Sequence, residues 1–196
     1  MLVNKMEYYV EAHPKTGAEP FIGINKTLID YWQWAHSDIV SNSERGKLAE
    51  YFLKCAVNSS APLRTEWDAV DILTPDGVRI EVKSSAYLQA WKCAKLSKIQ
   101  FDIAPKKSWD SKTNTYFETV GRNSDVYVFC LFSCQDPHIA NPMDVGQWKF
   151  YILPTAVLNE KIPTQKTIGL SSLLKLGAKE VIFNDIAHTI KNILPK

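Results

Sequence analysis

Long apolar runs, internal repeats and low-complexity tracts are all missing from this sequence. No hydrophobic stretch approaches the ~20 residues that a membrane-spanning helix needs. The first residues lack the continuous apolar segment and the cleavage site of a secretory signal. We therefore expect a cytoplasmic protein with no membrane partner. The chain has 196 residues, 45% of them apolar, which is enough for one globular domain with a buried core.

Metal-binding patterns of cysteine and histidine are missing too. The four cysteines occur singly within apolar segments, and the four histidines are scattered. Cys130 and Cys134 have no His or Cys nearby that would complete a zinc site. We expect buried, reduced thiols at Cys55, Cys93, Cys130 and Cys134, as is usual in a cytosolic protein.

Net charge is small, at +2, but positive charge is concentrated locally. Between residues 83 and 107 there are six lysines and a single acid, Asp102, together with Trp91, and Trp109 follows two residues later. A basic stretch with interleaved aromatic residues suits contact with a phosphate backbone. It is also typical of a solvated helix face. The lysines are Lys83, Lys92, Lys95, Lys98, Lys106 and Lys107.

Hydrophobic periodicity and breaker residues predict an α/β or α+β domain around one central sheet. The whole chain is expected to be one domain, with its core at about 41–153 and a C-terminal extension at 154–196. The pattern predicts helices near 28–39 and 41–57, strands at 67–74 and 78–83, a helix at 85–96, a strand at 99–103, a long loop at 105–124, strands at 125–132 and 148–153, and short helices at 170–176 and 186–193.

The second predicted helix has a clear start. Ser41 and Glu44 have the spacing of a capping box, in which the hydroxyl and the carboxylate close the first turn. Leu48, Phe52 and Cys55 then recur on one side of the helix. We expect that side to face the core.

The segment 67–83, WDAVDILTPDGVRIEVK, predicts a tight hairpin. A type I turn on Pro75 and Asp76 with a left-handed Gly77 pairs apolar with apolar residues along both arms. A two-residue turn on Asp76 and Gly77 would instead place Pro75, which has no amide to donate, in a ladder position. We therefore favour the first register, which sets Asp71 directly opposite Glu81.

In that register Asp71, Glu81 and Lys83 share one face of the hairpin, whereas Asp68 points the other way. Two carboxylates directly opposite repel each other, so something must offset that cost. Lys83 can do so in part, and a bound divalent cation can do so more fully, since Mg²⁺ and Mn²⁺ prefer carboxylate oxygens. A solvated edge hairpin, neutralised by Lys83 and Arg79, is the alternative interpretation.

The hairpin resembles the PD-(D/E)xK nuclease superfamily. Asp71 is followed, nine intervening residues later, by Glu81-Val82-Lys83, on two arms that come after a Glu-bearing helix. The run EVKSSAYLQAW is similar to a bacterial branch of that superfamily. The resemblance extends from GKLAEYF (46–52) to DVYVFCLF (125–132) and implies a restriction-endonuclease-like core of helix, three strands, helix and strand. Val70 replaces the usual proline before the acid, a departure that the superfamily often tolerates.

The resemblance implies a role for each residue of the motif. Asp71, Glu81 and the Val82 carbonyl match the metal ligands of the superfamily, and the cofactor is Mg²⁺ or Mn²⁺. Lys83 matches the lysine that orients the attacking water and stabilises charge at the scissile phosphate. Asp68 remains the substitute acid if the register is different.

A helical acid belongs to the same implied site. Glu50 stands where the superfamily carries the first-helix glutamate, and Glu44 is its competitor. Gln89 resembles a helical glutamine seen in several branches. Ser84 lies beside the site, where it contacts phosphate or caps the next helix.

The implied function is a metal-dependent endonuclease acting on DNA, with Lys92, Lys95, Lys106 and Lys107 contacting backbone phosphates. Trp91 either stacks on a base or packs in the core. Homodimers are common in this fold class, because cutting both strands needs two sites. Three rivals remain: a catalytically silent nucleic-acid-binding module, an RNA-processing nuclease and a small-molecule phosphohydrolase.

Overall fold

The computed structural model describes residues 10–65, 69–110 and 115–194. They belong to two compact units. The smaller unit, residues 10–37 and 62–64, contains α1 (Leu28–His36). Thr27 begins this helix, and its amide and hydroxyl both donate to the Asp30 carboxylate, at 2.8 and 2.9 Å. No described helix is long and apolar enough to cross a membrane.

The larger unit, residues 38–61 and the described residues from 65 onwards, contains a mixed sheet with helices on both faces. Its elements in chain order are α2 (Asn42–Ala56), β1 (Ile72–Leu73), β2 (Arg79–Ala86), β3 (Gln100–Asp102), β4 (Lys106–Asp110), β5 (Thr115–Gly121), β6 (Val126–Phe132), β7 (Trp148–Pro154), α3 (Thr155–Lys161), β8 (Thr167–Gly169), α4 (Leu170–Lys175), β9 (Lys179–Val181) and α5 (Ile186–Ile193), with short 3₁₀ helices before β7 and α5.

The central sheet has the strand order β1-β2-β6-β7-β9. β2 and β6 are parallel, whereas the other neighbours are antiparallel. The expected mixed α/β architecture with a central sheet is therefore confirmed. β9 comes from the segment after residue 154, so that segment contributes a strand to the central sheet.

β6 is the centre of the core. All seven of its side chains are buried, as its uninterrupted apolar sequence predicts. Alternate side chains pack against opposite layers. Val126 and Val128 contact the layer that includes residues of α2 and α5, whereas Tyr127 and Phe129 contact the layer that includes residues of α3 and α4.

The start of α2 follows the capping prediction in part. The Ser41 hydroxyl accepts from the Glu44 amide at 3.4 Å, but the Glu44 carboxylate pairs with Lys47 at 2.8 Å and does not close the box on Ser41. The Ser41 amide bonds to Asp38 instead.

The buried side of α2 is shifted by one residue towards the C-terminus from the side that the sequence predicts. Ala49 and Leu53 are fully buried, whereas Cys55 is exposed. Cys93 is exposed as well and Cys134 is only partly buried, so of the four expected buried thiols only Cys130 is fully buried. The hydrophobic face of a helix is wide enough that a one-position rotation changes which residue lies at its border.

Two predicted segments differ in the structure. No helix forms at 85–96, because β2 continues to Ala86 and pairs with β6 as far as Phe132. The segment 105–124, expected as a loop, contains the antiparallel hairpin of β4 and β5. For β2, ladder hydrogen bonds to the distant strand β6 override local propensity. For β4 and β5, the two arms of a local hairpin pair with each other despite their polar sequence. The helices at 170–176 and 186–193 are confirmed as α4 and α5.

Arg122, just after β5, joins three parts of the chain. Its buried guanidinium donates to the Ile103 carbonyl at 2.8 Å and to the Asn159 side chain at 3.0 Å. It also donates to the carbonyls of Ile162, Pro163 and Gln165, which follow α3. The arginine therefore binds the end of the β4–β5 hairpin to β3 and to the end of α3.

Replacing Arg122 with alanine should lower the free energy of unfolding by about 3 kcal/mol, because several buried acceptors lose their donor together. Urea denaturation of the variant and the wild type measures the difference. Lys161→Ala, at an exposed position, serves as the control and should change stability by less than about 0.5 kcal/mol. Equal stabilities for Arg122→Ala and Lys161→Ala would contradict this role.

Candidate active site

The hairpin forms in the register that the sequence predicts. Ile72 lies opposite Ile80. The Thr74 amide donates to the Val78 carbonyl at 3.0 Å, and Gly77 adopts a φ of +85° at the turn. A positive φ is accessible to glycine at little cost, which explains why this position completes the three-residue loop.

Asp71 lies immediately before the short strand β1. Its carboxylate accepts a hydrogen bond from β2 at the point where the backbone ladder between β1 and β2 ends. The Val82 amide donates to Asp71 Oδ2 at 2.7 Å. Hydrogen-bonded pairs alternate along an antiparallel ladder, so the Val82 amide and carbonyl both point towards this edge, beyond the paired residue Ile72. One carboxylate and one backbone carbonyl are therefore directed to the same place.

Glu81 and Lys83 lie side by side on β2. Lys83 Nζ is 2.5 Å from Glu81 Oε1, and the two side chains are only 16% and 18% exposed. Across the parallel ladder they stand opposite Tyr127 and Phe129, whose buried rings form a low-dielectric floor. Arg79 does not neutralise this pair, because its guanidinium binds Asp125 at 2.6 Å.

The charge balance of the site is visible in Asp71. Burial raises the pKa of Asp71 to about 7, and the neighbouring Glu81 carboxylate adds to this rise. Lys83 and the Val82 amide lower the pKa, but they do not compensate, and Glu50 raises it further. Near neutral pH the carboxyl group is therefore only partly ionised unless an additional cation is present.

The pKa of Lys83 is raised as well, but for this group a raised pKa favours the charged form. Burial acts to lower its pKa, but Glu81 and, more weakly, Asp71 and Asp102 outweigh burial and raise the pKa above its ordinary value. The ammonium group therefore stays protonated at neutral pH. Burial, followed by the Glu81 charge, raises the pKa of Tyr127 as well.

The two competing helical acids occupy different positions on α2. Glu50 is half-buried, and its charge raises the pKa of Asp71 and, after the effect of burial, that of Cys130. Glu44 lies in the first turn and pairs with Lys47. The structure therefore brings Glu50 into electrostatic range of Asp71.

Ser84 and Gln89 are placed differently from the expectation. Ser84 is inside β2 and caps no helix; its hydroxyl is buried without a partner among the described residues. Gln89 is in the irregular segment after β2, not in a helix. Its amide nitrogen donates to the Ala86 carbonyl at 3.1 Å and to Ser97 Oγ at 2.9 Å. Asp68 lies outside the described residues.

The predicted phosphate-contacting lysines are all exposed, on two separate segments. Lys92 and Lys95 lie in the segment between β2 and β3, whereas Lys106 and Lys107 lie on β4. Lys106 pairs with Asp102 at 3.2 Å. The side chain of Trp91 is 55% exposed, so it is not a core residue, and that of Trp109 lies outside the described part.

A divalent metal ion fits the donor types at the end of β1, although the side chains are not gathered into a preformed cage. Among the described residues, no three His, Cys, Asp or Glu side chains are arranged to hold a metal ion. Asp71 and Glu81 nevertheless provide two carboxylates whose proximity is unfavourable without a cation. Mg²⁺ is typically bound by one or two carboxylates, with water and substrate phosphate in the remaining positions.

Sequence reasoning missed two residues beside the site. Asp102 appears in the sequence only as the single acid of a basic stretch, yet its charge reaches Lys83. Tyr127 is one apolar letter of a buried strand, yet it pairs with Glu81. Tyr127 is placed by the pairing of β2 with β6, whereas Asp102 is placed by the packing of β3 near β2, since β3 itself pairs with β8. No local signal in the sequence contains either contact.

Comparison with known families defines the class of this protein as an endonuclease. The chain belongs to the bacteriophage T4 endonuclease IV family, which matches residues 24–172, about three quarters of the sequence. The matched region contains α2, the hairpin and the basic stretch. No curated protein matches the chain.

Stability should depend on pH through Asp71. Its pKa is about 7 in the folded protein and near 3.8 when unperturbed, so the folded state binds the extra proton and this contribution to stability is lost as pH rises from about 4 to 7. Asp71→Asn removes the contribution while keeping an acceptor for the Val82 amide.

In buffer containing EDTA, the free energy of unfolding of Asp71→Asn minus that of the wild type should be larger at pH 8 than at pH 5 by more than about 1 kcal/mol, since one pKa unit corresponds to about 1.4 kcal/mol. Denaturant titrations at the two pH values measure the difference. A difference that stays constant with pH would contradict the perturbed carboxyl group.

Gln89→Ala should loosen the segment that carries Lys92 and Lys95. The glutamine ties the beginning of this segment to Ser97, beside the bond from the Ser97 amide to the Tyr87 carbonyl at 2.9 Å. Hydrogen exchange of the Ser97 amide should become at least several-fold faster in the variant, and exchange in β6 should not change. Unaltered Ser97 exchange would show that the amide contact holds nothing in place.

Proposed function

We propose that this protein is an endonuclease that hydrolyses phosphodiester bonds in DNA with a divalent metal ion, Mg²⁺ or Mn²⁺, at the end of β1. Membership of the bacteriophage T4 endonuclease IV family supports the activity. The perturbed carboxyl of Asp71 supports the position of the site, because burial and Glu81 make this acid pair unfavourable in the absence of a cation.

The proposed ligands are Asp71, Glu81 and the Val82 carbonyl, with Glu50 approaching from α2. When bound, the metal ion lowers the pKa of a coordinated water and stabilises charge on the phosphate. The Val82 amide fixes the orientation of Asp71. Glu81, which pairs with Lys83 at 2.5 Å in this structure, would provide the second carboxylate to a bound metal ion.

Lys83 acts as a cation and not as a base in this proposal. Its raised pKa keeps the ammonium group protonated at neutral pH. With Glu81 engaged by a metal ion, the ammonium group would be available to a phosphate and would stabilise the negative charge that develops there. The ring floor of Tyr127 and Phe129 limits the water around this charge and strengthens the interaction.

We further assign the core to the PD-(D/E)xK superfamily. The support is the order of α2, the acidic hairpin and the parallel neighbour β6. The described segment between β6 and β7 contains only the 3₁₀ helix Val145–Gln147, where the resemblance implies an α-helix. The assignment therefore depends on α2, the acidic hairpin and β6, and not on the segment that follows β6.

Cleavage of plasmid and single-stranded DNA in Mg²⁺ or Mn²⁺ tests the proposal. Wild type should cut, whereas Asp71→Ala, Glu81→Ala and Lys83→Ala should each reduce the rate at least about 100-fold, because metal and electrostatic contributions of this kind are typically that large. EDTA should abolish cutting. Lys191→Ala, an exposed lysine on α5, is the matched control and should cut like the wild type.

A metal-binding measurement separates ligand loss from misfolding. Mg²⁺ or Mn²⁺ should raise the melting temperature of the wild type and of Lys191→Ala, but not that of Asp71→Asn combined with Glu81→Gln. A wild type that binds DNA and does not cut it under any condition would support a silent binding module instead. Preferential cutting of RNA would support an RNA-processing nuclease.

A further inference from the structure

A second feature lies beyond the acid pair. A surface groove of about 990 Å³ runs between the segment that follows β2 and the helix α4. Lys98 and Lys175 are exposed on its two sides, and no Asp or Glu is among its lining residues. Leu174, which is 45% exposed, and the half-buried Leu170 contribute apolar surface to the lining.

Two strands lead from the candidate active site to this groove. Tyr87, which lines the groove, follows β2 directly and is four residues beyond Lys83, or about 13 Å at ~3.3 Å per residue. Gln100, also in the lining, is two residues before Asp102, whose charge reaches Lys83. Both strands therefore connect the lining of the groove to the lysine side of the site within a few residues.

Local hydrogen bonds fix the position of Ser97, whose hydroxyl is a possible donor in the lining of the groove. The Ser97 amide donates to the Tyr87 carbonyl at 2.9 Å, and Ser97 Oγ accepts from the Gln89 amide nitrogen at 2.9 Å. The Ser97 hydroxyl oxygen accepts this bond, and its rotatable O–H can donate to a further acceptor such as a phosphate oxygen. The Gln89 carbonyl oxygen beside it is buried without a partner among the described residues.

The chemistry of the groove matches a polynucleotide strand. Two ammonium groups on opposite sides suit successive phosphates, whereas the apolar surface and the Tyr87 ring suit sugar and base faces. The path of about 13 Å along β2 from Lys83 to Tyr87 corresponds to about four nucleotides of a B-form strand at ~3.4 Å per nucleotide. A DNA strand whose scissile phosphate lies at the candidate site can therefore reach the groove within a few nucleotides.

We propose that the Lys98–Lys175 groove holds the stretch of DNA strand that flanks the scissile phosphodiester, with Lys98, Lys175 and the Ser97 hydroxyl contacting its phosphates. This inference rests on the proposed nuclease function. It assigns to the groove a positioning role: the groove binds substrate and takes no part in the bond cleavage.

Fluorescence anisotropy with short labelled DNA, single-stranded and duplex, tests the groove without cleavage when EDTA is present. The slope of log K against log[salt] should become shallower by about 1.4 to 1.8 in Lys98→Ala combined with Lys175→Ala, since each lost phosphate contact contributes about 0.7 for single strands and 0.9 for duplex. Lys191→Ala, on a different surface cleft, should keep the wild-type slope.

Steady-state cleavage provides the second measurement. The double variant should raise KM with kcat within about twofold of the wild type, because a uniform binding contribution is lost. Ser97→Ala should shift affinity in the same direction by a smaller factor. Melting curves check that all variants fold.

An unchanged salt slope in the double variant would contradict the proposal that the groove binds DNA, whether or not the protein is a nuclease. Equal loss of slope in Lys191→Ala would overturn it too, because the effect would then be general surface charge. If the wild type binds DNA with the expected slopes but never cuts it, the nuclease proposal fails while the groove still stands as a DNA-binding surface.

Discussion

The hydrogen bond from the Val82 amide to Asp71 is the contact on which the candidate site depends. β1 pairs over only two residues, so its ladder alone would leave the preceding chain unattached. The carboxylate takes the place of a backbone acceptor and fixes the acid at the edge of β2. Because the same bond brings two acids close together, the hairpin keeps electrostatic repulsion that folding alone does not require.

The sheet supports this arrangement by giving β2 two different faces. Ile80 and Val82 anchor the strand in the layer with α2 and α5, whereas Glu81 and Lys83 stand over aromatic rings on the other face. Low dielectric strengthens the ion pair and also the repulsion between the acids. A charged side chain on this face of β2 is stable while an oppositely charged partner is present, and it becomes strongly destabilising when that partner is removed.

How much could be predicted from sequence depended on whether the information was local. The hairpin register followed from Pro75, Gly77 and the apolar alternation, and the burial of β6 followed from its composition. The helix expected at 85–96 was wrong because β6, more than 40 residues away in sequence, extends the ladder of β2 to Ala86. Tyr127 was missed for the same reason, since it is the cross-strand partner of Glu81 on β6. Asp102 was missed because the packing of β3 near β2 is a long-range contact that leaves no mark in a single sequence.

The bond from Arg122 to the Ile103 carbonyl has a consequence for the evolution of the chain. It holds together the two ends of the excursion that contains β4 and β5, so the entry and exit points are fixed independently of what lies between them. Loop-closure entropy grows only slowly with length, and insertions or deletions within 104–121 would cost the core little. The excursion is therefore a part of the chain whose length can change without disturbing the acidic hairpin.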